Sequence, residues 1–341
     1  LAENQVNEIN NIINDTSGLI ILTSGGEWLG RGSTPSAAIT PEDMSFQKQS
    51  NHGCHEKVEP VRAGSAIMFW QRDGEVCREL TYEFGQDRFV APNLNVLSEH
   101  ITDGGVTDSA LQVGKDTKMW FLKANGKLIS CTYDRGQEVI AWCGHSLAPT
   151  NSVDAIVTSI ATLRGSEQDM LWVTVKRNIN GSVKTFIEVL IEESSNATAK
   201  EDSVYLDSSI TSTGSASFTW GGLTHLANEE VYAIGDGSAF GPLEVSGAGV
   251  ITLDYAVSKV TAGLPYESKI QTMPITPTSG KGEYRGKFRR IFKVIASLYR
   301  SRGGKAGSVE TQHQIEYDFT TELNTGVVEL GIPGNWGKES V

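Results

Sequence analysis

The chain has 341 residues and a mass of 36.9 kDa, with 36 glycines, 39% hydrophobic and 21% charged residues, and a net charge of −12. Apolar residues spread along the whole length exclude a disordered chain, and no apolar run reaches the ~20 residues of a membrane-crossing helix. The balance of 41 Asp and Glu against 29 Lys and Arg argues against tight, sequence-independent DNA binding, which needs a dense cationic footprint.

Glu3 to Asn14 places Val6, Ile9 and Ile13 at helical spacing and predicts a short amphipathic helix. Hairpins follow. Gly18–Trp28 (GLIILTSGGEW), Ser65–Leu80, Met119–Tyr133 and Met170–Leu190 each run an apolar strand into a tight glycine turn and out again. Their turn dipeptides are Gly25-Gly26, Asp73-Gly74, Asn125-Gly126 and Asn180-Gly181. Asn-Gly and Asp-Gly predict type I′ turns, whose two central residues both need positive φ. Between the first two hairpins, Ser36–Glu59 mixes Pro, Ser, Asn and Gly and predicts a long loop. Leu94–Ile101 predicts one or two turns of helix.

Gly26, Gly74, Gly126 and Gly181 lie 48, 52 and 55 residues apart. A period of this size, with hairpins of this kind, suits the four-stranded blades of a β-propeller. The alternative is a β-sandwich with evenly spaced hairpins. The polar run Glu192–Glu201 (EESSNATAKE) predicts an inter-domain crossing. Beyond it, Phe218–Tyr232, a hairpin over Ala233–Glu244 with its turn at Asp236-Gly237, Val245–Tyr255 and Leu264–Met273 predict a compact β unit. Pro274–Gly282 is a second crossing, and strands return at Phe288–Tyr299 and Gln314–Leu330. The expected fold is mainly β: a partial β-propeller of hairpin blades over 1–192, an inserted small β-barrel or sandwich over 200–275, and propeller strands again over 283–341.

The charge is uneven. From Lys281 to Lys305 nine basic residues, among them Arg285, Lys287, Arg289, Arg290, Lys293, Arg300 and Arg302, face only Glu283. This strip carries +8, which leaves −20 on the rest of the chain. It reads as a solvated strand face or as an anion-contacting or inter-subunit patch.

Marks of bond chemistry are weak. His52, Cys54 and His55 cluster, but a zinc site needs a second ligand pair, which Cys143 and His145 could supply only in space. His225 has no nucleophile or acid marked beside it, so a structural hydrogen bond is expected. Asp134, Glu138 and Glu188 could pair across strands as a glycosidase requires. Cys54, Cys77, Cys131 and Cys143 form no CxxC pair and read as free thiols. The sequons at Asn14, Asn180 and Asn196 would matter only in a chain secreted from a eukaryotic cell. No phosphate loop, nucleophile elbow or zincin motif occurs. The tryptophans, among them Trp28, Trp70, Trp120, Trp142 and Trp172, fit propeller packing better than a sugar-stacking site.

Several local patterns, in order, carry a resemblance: Leu22–Trp28 (LTSGGEW), Gly64–Tyr82 with Arg72-Asp73-Gly74 and Arg78-Glu79, Trp120–Trp142, Val173–Glu188, and Gly222–Leu226 (GLTHL) followed by Asp236-Gly237 and Gly263–Tyr266. Together they cover about residues 18–305, and the chain resembles the tail nozzle, or tail tubular protein B, group of short-tailed bacteriophages. The resemblance implies a β-propeller with inserted β domains in a hexameric ring below the portal and adaptor, with the genome leaving through the lumen. It implies a virion protein assembled in the bacterial cytoplasm, whose partners are further copies, adaptor or portal proteins and fibres. It implies no enzyme chemistry, cofactor, metal or membrane anchor. Chains of that group are longer, so Leu1 in place of Met leads to the expectation that further blades lie upstream. An acidic lumen would let DNA slide, with the basic strip turned toward an acidic neighbouring subunit. The alternative is a propeller that binds or cleaves glycans, which requires two carboxylates facing each other across an axial pocket.

Overall fold

Runs of β-branched and aromatic residues punctuated by glycine turns form strands almost throughout, and the protein is mainly β. The computed structural model describes residues 7–34, 38–165, 168–191, 202, 204–272, 290–301, 304–307, 312–314 and 324–332. The chain divides into two units, Leu1–Glu267 and Ser268–Val341.

The first unit opens with three four-stranded antiparallel meanders. Sheet one holds β1 (Ile9–Asp15), β2 (Gly18–Thr23), β3 (Gly26–Arg31) and β4 (Ser45–Ser50). Sheet two holds β5 (Val61–Ala63), β6 (Ala66–Trp70), β7 (Cys77–Glu83) and β8 (Arg88–Val90). A four-residue helix, α1 (Glu99–Thr102), leads to sheet three: β9 (Val106–Gln112), β10 (Lys118–Lys123), β11 (Leu128–Asp134) and β12 (Val139–His145). Sheet four has three strands among the described residues, β13 (Ile156–Arg164), β14 (Asp169–Ile179) and β15 (Ser182–Leu190).

Two expectations are corrected at the start of the chain. The helix predicted over residues 3–14 gives way to β1, which pairs with β2 through Ile12↔Ile21 and Ile13↔Ile20. The apolar spacing fits either period, and the pairing with β2 decides it. Inside the loop predicted over residues 36–59, β4 pairs with β3 through Leu29↔Gln47 and Gly30↔Phe46. Its polar sequence hides it, because β4 is the outer strand and buries little. The helical turn expected near residue 100 is present as α1.

The four sheets stack face to face in chain order. Ile20, Leu22 and Leu29 of sheet one meet Ile67, Phe69 and Leu80 of sheet two. Ala66, Met68 and Trp70, on the other face of β6, meet Met119, Phe121 and Ile129 of sheet three. Trp120, Leu122 and Leu128 of sheet three meet Leu171, Val173 and Val175 of sheet four. The central strands β6 (AIMFW) and β10 (KMWFLK) are continuous apolar runs because both their faces are covered. Repeated meander sheets packed in chain order are compatible with propeller blades.

The turns stitch each sheet to the next. Cys54 N donates to Thr23 O at 2.8 Å, Val106 N to Gly74 O at 2.9 Å and Val157 N to Gly126 O at 2.9 Å. In each case a segment entering the next sheet bonds the hairpin tip of the previous one. Around Gly181, the fourth tip, there is open space, and the neighbouring Asn180 N donates to Glu229 Oε1 at 2.6 Å. The type I′ expectation holds at Asn180-Gly181 (φ 48° and 72°) and Asp236-Gly237 (φ 45° and 78°). It fails at Asp73-Gly74 and Asn125-Gly126, where only the glycine is left-handed and the loop is longer. At the first hairpin Thr23 pairs with Gly26, so the turn centres on Ser24-Gly25, one residue earlier than expected.

The β unit after residue 200 is one four-stranded sheet in the order β16-β19-β17-β18, not a closed barrel. Its strands are β16 (Asp207–Trp220), β17 (Glu230–Gly235), β18 (Ser238–Glu244) and β19 (Ile251–Leu264). A strand was also expected over residues 264–273; β19 ends at Leu264, and residues 265–272 are irregular. The core of this sheet takes in Ala148 and Ile179, with Phe186 packed against it, so it shares apolar contacts with sheet four. In the second unit, β20 (Lys293–Ser301) pairs with β23 (Asn324–Gly331), and β21 (Lys305–Gly307) with β22 (Gln312–Gln314).

Candidate functional site

The residues singled out for possible bond chemistry occupy structural positions. Cys54 is fully buried, and burial pushes its thiol up to about 12. Its neighbours are also tied down: His55 Nδ1 accepts from Lys57 N and Val58 N, and burial lowers the pKa of both His52 and His55. The buried Glu27 carboxylate accepts from Ser50 Oγ, from His52 N at 3.3 Å and from Gly53 N at 2.8 Å, which fixes this loop on sheet one. Among the described residues no group of three or more His, Cys, Asp and Glu side chains is arranged to hold a metal.

Ser130 Oγ lies 2.8 Å from His145 Nε2, the spacing of a nucleophile and its base. The pair is built as packing instead. Ser130 is buried, and the His145 ring lies 4.8 Å from the Trp120 ring. Burial, with Lys118 nearby, holds the imidazole below its ordinary range. Trp120 Nε1 donates to Gln112 Oε1 at 2.7 Å, so this side of sheet three is a polar network under an aromatic cover. His225 Nε2 lies 2.9 Å from Ser208 O, a structural bond of the kind expected.

Each of the three carboxylates considered for a glycosidase has a local structural setting of its own. Glu188 is bidentate to Arg177, at 2.7 and 2.8 Å. Asp134 caps a short turn by accepting from Gln137 N, and Glu138 takes a left-handed φ of 57° at the end of that turn. Trp70 and Trp142 behave as core residues, forming one cluster with Phe121 in which ring centroids lie 5.0–6.0 Å apart.

Sequence reasoning missed a buried ionic cluster joining sheets two and three. Glu79, fully buried on β7, accepts from Tyr133 Oη at 2.8 Å and from Arg135 Nε at 2.7 Å, and it also pairs with Arg135 Nη2. Burial and the Glu79 bond push the Tyr133 phenol up to about 12, and the Glu79 bond raises the Arg135 pKa. An open groove of about 340 Å³ lies beside it, lined by Gly64, Lys115, Asp116, Tyr133, Asp134 and Arg135 among others. The groove is shallow and mixed in charge, and Glu79 is satisfied by its partners.

Of the basic strip, Lys293 starts β20 and its Nζ donates to Glu329 Oε2 at 2.8 Å. Arg290 precedes that strand, Arg300 lies within it, and Lys305 starts β21. Lys281, Arg285, Lys287, Arg289 and Arg302 lie outside the described residues. The exposed Lys293 pair contributes about 0–1 kcal/mol at most.

The features that repeat are the turn tips and the sheet faces. Gly26, Asp73-Gly74, Asn125-Gly126, Asn180-Gly181 and Asp236-Gly237 all lie at or beside hairpin turns, as the sequence implied. A methyl group on Gly74 would lie 3.1 Å from Val106 O, and one on Gly126 would lie 2.5 Å from Ile156 Cγ2. Both glycines therefore serve close sheet-to-sheet approach as well as the turn. Compared with known proteins, the chain matches no family model and no curated sequence.

Proposed function

We propose that this chain is a structural subunit of a short-tailed phage tail, of the nozzle type, that builds part of a ring through which DNA passes. The observation that carries the reading is the row of meander sheets packed face to face in chain order, each hairpin tip bonded to the next segment. Such a row is a rigid wall whose side chains are spent on packing. The ordered motifs from residue 18 to 305 supply the family, and the −20 balance outside the basic strip supplies the physics of passage. A wall that repels phosphate neither condenses onto DNA nor releases counter-ions, so a duplex slides along it. The mechanism is mechanical: subunits seal, align and open, and no bond is made or broken.

The test is immunogold labelling, with antibodies against this chain, of particles produced by the source that encodes it. Label at the tail tip is the expected result. Label on the capsid, or on no particle, would overturn the reading. A charge map of the assembled ring gives a second check, since a lumen lined by Arg289, Arg290 and Arg300 contradicts the acidic-wall argument.

A further inference from the structure

Two Asn-Gly dipeptides occur in the chain, Asn125-Gly126 and Asn180-Gly181, and both sit at hairpin tips. Their surroundings are opposite. At the first tip Gly126 is buried, its N–H donates to Lys123 O at 2.9 Å, and its carbonyl accepts from Val157 N at 2.9 Å. Asn125 Oδ1 accepts from Lys127 N at 3.1 Å. The tip is pressed against β13, where a methyl group added to Gly126 would meet Ile156 Cγ2 at 2.5 Å. At the second tip Asn180 and Gly181 are both exposed, and a methyl group on Gly181 would meet nothing within 4 Å. Neither the Asn180 carboxamide nor the Gly181 N–H has a hydrogen-bond partner among the described residues. Beyond the ladder of β14 and β15, this tip is held through Asn180 N, which donates to Glu229 Oε1 at 2.6 Å. Glu229 is 3% exposed and also accepts from Asn151 Nδ2 at 2.9 Å.

An asparagine followed by glycine carries its own nucleophile. The backbone nitrogen of the glycine attacks the side-chain carbonyl carbon, and the absence of a Cβ on glycine leaves that approach open. At the second tip the Gly181 N–Asn180 Cγ bond forms and the Cγ–Nδ2 bond breaks. The proton from Gly181 N leaves with Nδ2 as ammonia, and a cyclic imide remains. Water, the only co-reactant, then opens the imide at either carbonyl and leaves aspartate or isoaspartate at position 180. The same reaction at Asn125 must first break the Gly126–Lys123 and Lys127–Asn125 hydrogen bonds and move the tip off β13. Loss of those two bonds alone slows it by about tenfold or more.

We propose that Asn180 is a site of spontaneous deamidation in the folded protein, that docking protects Asn125, and that the product loosens this tip. Either product places a new carboxylate on the residue whose backbone N–H is bonded to the buried Glu229. Two like charges then meet where the fourth sheet touches the segment leading into β17. The chemistry uses residues that the ring reading leaves idle, and it holds whether or not that reading does.

The experiment incubates the full chain at mildly alkaline pH in heavy-oxygen water and follows both sites by peptide mass spectrometry, once folded and once in denaturant. In the folded protein the Asn180 peptide converts, takes up the oxygen label and splits into aspartate and isoaspartate forms, and the Asn125 peptide lags by about tenfold or more. In denaturant the lag disappears, because both sites are then the same dipeptide in an open chain. Equal conversion of the two sites in the folded protein, conversion of Asn125 ahead of Asn180, or conversion of Asn180 in denaturant only would each overturn the proposal. The loosening is read separately with Asn180→Asp, since aspartate tolerates the left-handed φ of 48° at this position. Its residue-180 amide should exchange about two- to fivefold faster than in the wild type, and Glu229→Gln in the same chain should remove that acceleration. An Asn180→Asp amide that exchanges at the wild-type rate, or an acceleration that survives Glu229→Gln, would overturn the charge account of the tip.

Discussion

Arg177→Met tests how the fourth sheet is held. The Arg177 side chain is 0% exposed, and its Nε and Nη2 donate to the two oxygens of Glu188 at 2.7 and 2.8 Å. Its Nη1 donates to Ala148 O at 2.8 Å, while Ala148 N donates to Asp207 Oδ2 at 2.6 Å. One guanidinium thus ties β14 to β15, to the segment before β13 and, through one peptide, to the start of β16. Methionine keeps most of the side-chain length and removes the charge and every donor. Glu188, whose side chain is 17% exposed, is then left near the half-buried Asp207 without a counter-charge. Breaking one partner out of a buried pair costs about 3–5 kcal/mol, and the partial exposure of Glu188 sets the expectation at about 3. At about 2–4 °C per kcal/mol the melting midpoint falls by about 6–12 °C. Exchanging Glu188 as well, in Arg177→Met/Glu188→Met, removes the orphan charge and recovers about half of the loss. Melts followed by circular dichroism measure the totals, and amide hydrogen exchange localises the loss to β14, β15 and the start of β16. A single variant that costs under about 1 kcal/mol would refute the reasoning, because the pair would then behave like an exposed one. So would a double variant whose loss is the sum of the two singles.

Three further outcomes are expected. Burial pushes the Cys54 and Cys131 thiols up to about 12 and raises Cys77 well above its ordinary value, whereas Cys143 is exposed; native protein should label quickly with iodoacetamide at Cys143 alone, as read by peptide mass spectrometry. Gly181→Ala places a methyl group in open space at φ 72° and should cost about 1–2 kcal/mol of backbone strain. Gly126→Ala adds a clash with Ile156 at a similar φ of 78°, so its melting midpoint should fall further, and equal losses would count against the docked-tip account. Asp207 has its pKa raised by burial above the 3.8 of a free carboxyl, so the folded state holds a proton that the unfolded state releases. Stability from this group therefore falls as pH rises from about 3.8 through the raised value, and Asp207→Asn should flatten that part of the stability–pH curve.

Local chemistry was legible in the sequence and distant chemistry was not. The hairpins at residues 73–74, 125–126, 180–181 and 236–237 announce themselves because a glycine turn between apolar strands is a short-range signal. The loop length was misread at 73–74 and 125–126, since Asp-Gly and Asn-Gly also suit longer turns in which glycine alone is left-handed. Ile9 and Ile13 suggested a helix because their spacing is shared by two periods, and only the partner strand β2 separates them. Glu79 meets Tyr133 and Arg135 across 54 and 56 residues, and Arg177 meets Ala148 across 29, so no local pattern could mark these pairs.

The stacking order itself was half written. The 48–55-residue spacing locates the tips, and the tips are where one sheet bonds the next, so the period records the contact and not merely the turn. The apolar code of the central strands then says how many faces each sheet covers. β6 and β10 are apolar at every core position because each serves two seams. β2 carries the same code while the described structure covers only one of its faces, and β14 with its flanking strands places Trp172, Val189 and Ile187 on the uncovered side.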